Sequence, residues 1–206
     1  MKHIINIDTW KRKSNFQHFM KYSDPYFGIC CNVDCTIARE KAKALGVSFF
    51  MYYFYHSLVA ANAIPEFRTR IQDNKPVIYD AVHGSPTVLR NDGGLGFAML
   101  EYAATLEDFL KKAIPEIEKV KSHTIMDTSK DCPNTIFYSI IPWVQFTSVT
   151  HPLDLPNTEG VPILTFGKLF EENGKTMMPI SIHAHHALMD GMHVAQFVES
   201  FQKKLY

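Results

Sequence analysis

Met178-Pro179-Ile180-Ser181-Ile182-His183-Ala184-His185-His186-Ala187-Leu188-Met189-Asp190-Gly191 is the stretch in which the fold can be read. Its residues alternate up to His186, so Ile180, Ile182, Ala184 and His186 are expected on one face of a strand. His183 and His185 fall on the other face. Beyond Gly191, Val194, Ala195, Val198, Phe201 and Leu205 recur at helical spacing. The histidine run therefore lies where a strand gives way to a helix. Alternation puts His186 on the apolar, buried side, where an imidazole must be satisfied by hydrogen bonds or serve a purpose.

Three readings of that run stay open on the residues alone. His186 can be a base working near neutral pH, with Asp190 close by. It can be a core histidine satisfied by its neighbours. It can also belong to a metal site, since His183, His185, His186, Asp190 and His193 are all ligand types. Strand alternation turns His183 and His185 away from His186, and the spacing matches neither a helical His-Glu-x-x-His site nor a paired-cysteine framework.

Composition narrows the field. The 206 residues are expected to form one domain, 1–206, with a sizeable core. Acidic and basic residues balance at 21 each, so no broad pull towards nucleic acid or an anionic membrane is expected. The first residues lack the apolar core and cleavage site of a secretory signal. From Val47 to Ile64 the chain is apolar and rich in aromatics, but Ser48, His56, Ser57 and Asn62 interrupt it. It also falls short of the ~20 apolar residues of a span, so a buried helix is expected. A cytoplasmic location follows as an expectation. Cys30, Cys31, Cys35 and Cys132 read as free thiols, because Cys31 and Cys35 share a strand face too far apart to bridge.

Strands and helices interleave along the rest. Residues 3–8, 26–35, 75–79, 86–90, 136–148 and 163–170 read as strands. Helices are expected over 10–20, 39–45 and 47–64, and from 106 to 117 with a kink or split at Pro115. His83-Gly84-Ser85 and Gly93-Gly94-Leu95-Gly96 read as turns, and Glu171-Glu172-Asn173-Gly174-Lys175 as a hairpin into the histidine strand. With no repeat or linker, one α/β domain is the economical reading.

Further segments carry a resemblance over nearly the whole length. They are Trp10-Lys11-Arg12 followed by Phe16, Ala61-Asn62-Ala63-Ile64-Pro65-Glu66-Phe67-Arg68, and Ser139-Ile140-Ile141-Pro142-Trp143-Val144-Gln145-Phe146-Thr147-Ser148. Together with the histidine run they make the chain resemble chloramphenicol acetyltransferases of the trimeric, histidine-dependent type. The His-His-x-x-x-Asp-Gly run alone is less specific. Acyltransferase cores of 2-oxo acid dehydrogenase complexes and peptide-synthetase condensation domains have similar ones. The resemblance implies a two-layer α/β sandwich, a mixed sheet with helices mainly on one face, as in coenzyme A-dependent acyltransferases.

The resemblance also implies roles. His186 matches the general base, Ser148 the hydroxyl that donates to the oxyanion, and Thr165 a threonine that holds a water beside the transition state. Asp190 matches the partner of Arg12, a pair that holds the histidine loop rather than completing a hydrolase triad. Lys168 matches a lysine near the coenzyme phosphates, and Phe97 loosely matches an aromatic wall of the acceptor pocket. Acetyl-coenzyme A is the implied cosubstrate and chloramphenicol the implied acceptor. A homotrimer with sites shared between subunits is implied, and no metal or prosthetic group. The departures concern the acceptor pocket: Phe19 stands where the family tends to have tyrosine, Tyr26 and Phe27 alter a pocket strand, and Met189 replaces a smaller residue. The alternatives are another hydroxyl acceptor with the same mechanism, or a non-catalytic binding role.

Overall fold

In the computed structural model, which describes residues 1–126, 132–154 and 159–206, the histidine-bearing segment Lys175–His185 is the longest strand. In chain order the elements are β1 (Lys2–Ile4), α1 (Lys13–Phe19), β2 (Tyr26–Asp34), α2 (Thr36–Ala44), α3 (Phe49–Asn62) and a 3-10 turn, Pro65–Arg68. There follow β3 (Thr69–Gln72), β4 (Lys75–Tyr79), β5 (His83–Leu89), β6 (Leu95–Phe97), α4 (Leu106–Ser122) and β7 (Thr135–Ile140). The chain ends with β8 (Ile163–Phe166), β9 (Phe170–Glu172), β10 (Lys175–His185) and α5 (Gly191–Leu205). The main sheet runs β2-β10-β8-β7-β5-β6, with β9 paired to β10, and a small sheet runs β1-β4-β3. β7 is parallel to both β5 and β8 while β10 is antiparallel to its neighbours, so the sheet is mixed.

Alternation sorts the two faces of β10. Ile180, Ile182 and Ala184 join Leu164, Phe166, Ile136 and Tyr138 in one core with Phe54 and Leu58 of α3, Phe109 of α4, and Phe197 and Phe201 of α5. α3 lies against α2, α4 and α5, and its Tyr53 and Phe54 pack on Phe166 and Tyr138 of the sheet. That placement explains why nearly its whole circumference is apolar and nine of its residues are buried. No single helix among the described residues is long and apolar enough to cross a membrane. On the other face, Ser181 pairs across to Thr165 and His183 to Gly28. A Cβ on Gly28 would come within 2.8 Å of the His183 ring, so only glycine leaves room for that imidazole.

Several expected boundaries move. β5 begins at His83, not after a turn: Gly84 pairs with Ile136 and Leu100, and it is glycine because a Cβ there would meet Phe54 at 2.6 Å and Tyr138 at 3.0 Å. The strand expected to reach Ser148 ends at Ile140, where Pro142-Trp143 turns the chain. The one expected over 163–170 divides into β8 and β9. Pro115 does not split α4, since it lies on the exposed face where the carbonyl it frees meets water. The Asn173-Gly174 hairpin forms with both residues in left-handed conformation.

The small sheet is tied to the main one by a buried cation. Arg70 of β3 is fully buried and donates to the carbonyls of Phe67, Thr69, Pro133 and Thr135. Burial pulls its pKa down to about 10, so it stays charged at neutral pH. Arg70→Met is expected to strand those carbonyls and destabilise the fold by about 3 kcal/mol or more. Urea denaturation measures it, and a change below 1 kcal/mol would remove Arg70 as the tie between the sheets.

Candidate active site

The turn after β10 is built on His185. Its carbonyl accepts from Leu188 N–H at 3.0 Å and Met189 N–H at 3.1 Å, and its Nδ1 accepts from Ala187 N–H at 3.2 Å. The ring is buried, and burial, reinforced by the neighbouring His186, pushes its pKa down to about 4. His185 is therefore a neutral staple for the turn. Sequence alternation had placed it merely on the opposite face, and nothing in its spacing announces this role.

His186 stands one residue past the strand, with its N–H donating to Pro25 O at 2.9 Å. The expectation of full burial needs correcting: the ring is half-buried, because alternation ends with β10 at His185. It is clamped between Phe19, stacked at 4.0 Å and 5°, and Phe27, tilted at 4.6 Å. Its Nδ1 is buried without a hydrogen-bond partner among the described residues. A molecule approaching from solvent meets the other nitrogen, Nε2.

A chain of charges braces this turn. Arg12 donates from Nη1 to Asp190 Oδ2 at 2.7 Å and from Nη2 to the His186 carbonyl at 3.4 Å. Asp190 caps the start of α5, and its Oδ1 lies 2.8 Å from His193 Nδ1, whose Nε2 reaches Glu66 at 3.3 Å. Burial alone would raise the Asp190 carboxyl, but the Arg12 hydrogen bond and the adjacent His193 hold it below its usual value. Met189 is buried in the core, which accommodates its larger side chain.

The other residues singled out in the sequence fall in two groups. Tyr26 packs edge-on against His185 at 5.2 Å and donates to Val161 O at 3.1 Å, so with Phe19 and Phe27 it surrounds the histidine turn. Thr165 lies elsewhere. It sits in β8 opposite Ser181, five residues before His186, and at strand spacing that is roughly 16 Å away. Thr165 is buried, its Oγ1 2.9 Å from His151 Nε2. Ser148 is exposed on the loop that leads from Pro142 to His151. Lys168 is exposed just past β8, its N–H donating to Val144 O at 2.9 Å. Phe97 is in β6, at the far edge of the sheet from β2 and roughly 24 Å across it. One chain therefore holds His186, Phe19, Tyr26 and Phe27 at one place and Thr165 and Phe97 at others.

Among the described residues no three His, Cys, Asp or Glu side chains converge as a metal site would require. The expected ligand types are engaged elsewhere: His183 with Ser181 and His151, His185 with Ala187, and His193 with Asp190 and Glu66. The four cysteines are free thiols. A cavity of about 700 Å³ opens on the helix side between the start of α3 and α4, lined by Val47, Ser48, Phe50, Leu110, Lys121 and Ile140 among others.

Comparison with known proteins decides the family. The sequence profile of chloramphenicol acetyltransferases matches residues 2–202. The chain belongs to the chloramphenicol acetyltransferase family. A chloramphenicol acetyltransferase of Clostridium perfringens is 30% identical over 203 residues, covering 97% of this chain and 96% of that one. One of Clostridioides difficile is also 30% identical, covering 97% and 93%. A solved chloramphenicol acetyltransferase superposes with a TM-score of 0.92 at 31% identity, covering all of both chains. The dihydrolipoamide acetyltransferase of Azotobacter vinelandii shares the fold at a TM-score of 0.67 and 18% identity, over 93% of this chain and 85% of that one. The α/β sandwich is that of coenzyme A-dependent acyltransferases.

Arg12→Ala leaves the Asp190 carboxylate without its cation and is expected to destabilise the fold by about 2 kcal/mol near neutral pH. Because the folded carboxyl titrates below the ordinary 3.8, the pair's contribution is complete above that pH and fades as pH falls through the lower folded value. Melting temperatures of wild type and variant should therefore converge only in strong acid. A gap of constant size down the whole pH range would show that the pair contributes nothing through charge.

Proposed function

We propose that the protein is an acetyl-coenzyme A-dependent O-acetyltransferase that acetylates a hydroxyl of chloramphenicol by direct transfer between two bound substrates. Family membership supports the substrates. The observation that carries the chemistry is the His186 imidazole, fixed between two aromatic rings with Nδ1 turned inward, so that Nε2 is left for the reaction.

The acceptor oxygen attacks the thioester carbonyl while His186 Nε2 takes the hydroxyl proton. The Ser148 hydroxyl donates to the oxyanion that forms, an interaction worth about 10²–10³ in turnover. Collapse of the tetrahedral intermediate breaks the C–S bond, and the coenzyme thiolate recovers the proton from the imidazolium. Thr165 holds a water beside this centre. Arg12 and Asp190 support the histidine turn without exchanging protons. The cavity between α3 and α4 suits the coenzyme, being apolar for the pantetheine arm with Lys121 at hand for a phosphate. Lys168 offers a second positive charge on the outside. Phe19, Tyr26, Phe27 and Phe97 are assigned to the acceptor pocket.

The separation of His186 from Thr165 within one chain supports a homotrimer with sites between subunits, the base from one copy and the oxyanion loop from the next. Exposure of Ser148 in the single chain agrees with that arrangement. A second reading, the same chemistry on another hydroxyl compound, is favoured by Phe19, which covers the base but has no hydroxyl to bond an acceptor.

Release of coenzyme A thiol from acetyl-coenzyme A tests the reading. Release should depend on chloramphenicol and fall by at least ~10³ in His186→Ala, with the fold intact. Thiol release that ignores chloramphenicol but responds to another alcohol would favour the second reading; turnover surviving in the variant would remove His186 as base. Subunit mixing tests the shared site. His186→Ala and Ser148→Ala chains, each inactive alone, should regain activity when unfolded and refolded together. Failure to recover any would put both residues in one chain's site.

A further inference from the structure

Four side chains on one face of the sheet have no part in the chemistry derived so far, apart from Thr165 itself. His151 Nε2 and Thr165 Oγ1 are 2.9 Å apart. The His183 ring stands edge-on to His151 at 5.0 Å, and its Nδ1 lies 3.4 Å from Ser181 Oγ. Ser181 in turn is the cross-strand neighbour of Thr165. Thr165 and Ser181 are completely buried, on the face opposite the one that packs against α3, α4 and α5. Among the described residues the loop after β7 reaches this face, with His151 against Thr165 and His183. That loop is pinned to β8 at Ile141, whose N–H donates to Phe166 O at 2.9 Å, and at Val144, which accepts from Lys168 N–H at 2.9 Å. Phe146 packs over Gly167, where a Cβ would come within 2.8 Å of its ring. The last anchor is His151.

Ser148 lies between the Phe146 anchor and the His151 anchor, three residues from the latter. We propose that His151 is a positioning residue: through its hydrogen bond to Thr165 it orients that hydroxyl and fixes the loop that presents Ser148, with His183 bracing its ring. Both hydroxyls assigned to the transition state are then set by one imidazole that touches neither substrate. Thr165 is on a rigid strand and cannot adjust, whereas Ser148 is on an exposed loop and would otherwise wander. An oxyanion donor works only at hydrogen-bond distance, and a shift of about 1 Å can cost ~10²-fold. Burial of both rings lowers the pKa of His151 and His183, so each is neutral at working pH and can share the bond without leaving a buried charge. Gly28 belongs to the same device, since any side chain there would displace His183.

The inference rests on the acetyltransferase reading, and a double-mutant cycle separates the two. In the full-length protein, kcat and KM for chloramphenicol and acetyl-coenzyme A are measured for wild type, His151→Ala, Thr165→Val, the double variant and His151→Gln. The expected result is a fall in kcat of about 10- to 100-fold for His151→Ala, with each KM moving less than about threefold. The double variant should be no worse than the poorer single variant, because one acts through the other. His151→Gln, which keeps a hydrogen-bonding group, should recover most of the loss. Losses that multiply in the double variant, or a loss confined to KM, would overturn the positioning role. If Thr165→Val alone turns over normally while His186→Ala is dead, the role of Thr165 fails and this inference with it, but the base stands. Only survival of activity in His186→Ala would bring down the reading beneath both.

Discussion

A strand buried on both faces can carry polar side chains only where each finds a partner, and β10 is such a strand. From Met178 to Ala184 one of its faces is wholly apolar, and the helices close over it. Its other face presents Ser181, His183 and His185, which meet Thr165 across the sheet, the edge of the His151 ring and the Ala187 amide respectively. The demand for partners shapes what surrounds the strand. It fixes a glycine in β2, brings the loop after β7 down onto β8, and closes the turn that follows His185. His186 lies just past the strand, outside its pairing, and its half-buried ring is held by Phe19 and Phe27.

The position of His186 is secured by the backbone more than by its own ring. Arg12 reaches the His186 carbonyl and Asp190 together, joining the start of the chain to the turn near its end. Asp190 is also tied to His193, and His193 to Glu66. An ion pair of this kind stabilises little by itself, because desolvation offsets much of the attraction. Its value is geometric. Removing one member leaves a partly buried charge, so the arrangement resists drift in the turn. Asp190 is thereby committed to Arg12 and His193, and its carboxylate is not the partner of His186 Nδ1.

The sequence was legible where local periodicity and tertiary burial agreed. β10, the hairpin at Asn173-Gly174, α3 and α5 are patterned by the environment they occupy, and the α/β class follows from them. It misled where a residue's identity serves a contact far along the chain. Gly84 reads as a turn residue, yet its lack of a side chain is required by Phe54 and Tyr138. Pro115 reads as a break, yet the lost bond falls on the solvent side. The stretch 141–148 is as apolar as a strand, but it is a loop anchored by the backbone at Ile141 and Val144 and by the ring of Phe146, while Trp143 and Val144 expose their side chains. The Arg12–Asp190 contact spans almost the whole chain and came from resemblance, not from spacing. His151 and the structural role of His185 carry no pattern at all, since a single hydrogen bond across fourteen residues or within a turn leaves no period to detect.

In the proposed reaction the imidazole must hold a proton only while the intermediate lasts. A carboxylate at Nδ1 would make His186 a stronger base and a more persistent imidazolium, slower to return its proton to the leaving thiolate. The surroundings here differ. Nδ1 is enclosed without a partner among the described residues, and the ring packs against Phe19 and Phe27. Aromatic faces attract a cation by about 0.5–2 kcal/mol, much less than an ion pair in the same enclosed position. The ring is therefore held flat and aimed by stacking. A phenylalanine at position 19 stacks on His186 as a tyrosine could, and in the proposed reaction the missing hydroxyl is one group fewer to bond an acceptor. Under that proposal, holding the base and choosing the acceptor are separable properties of one side chain.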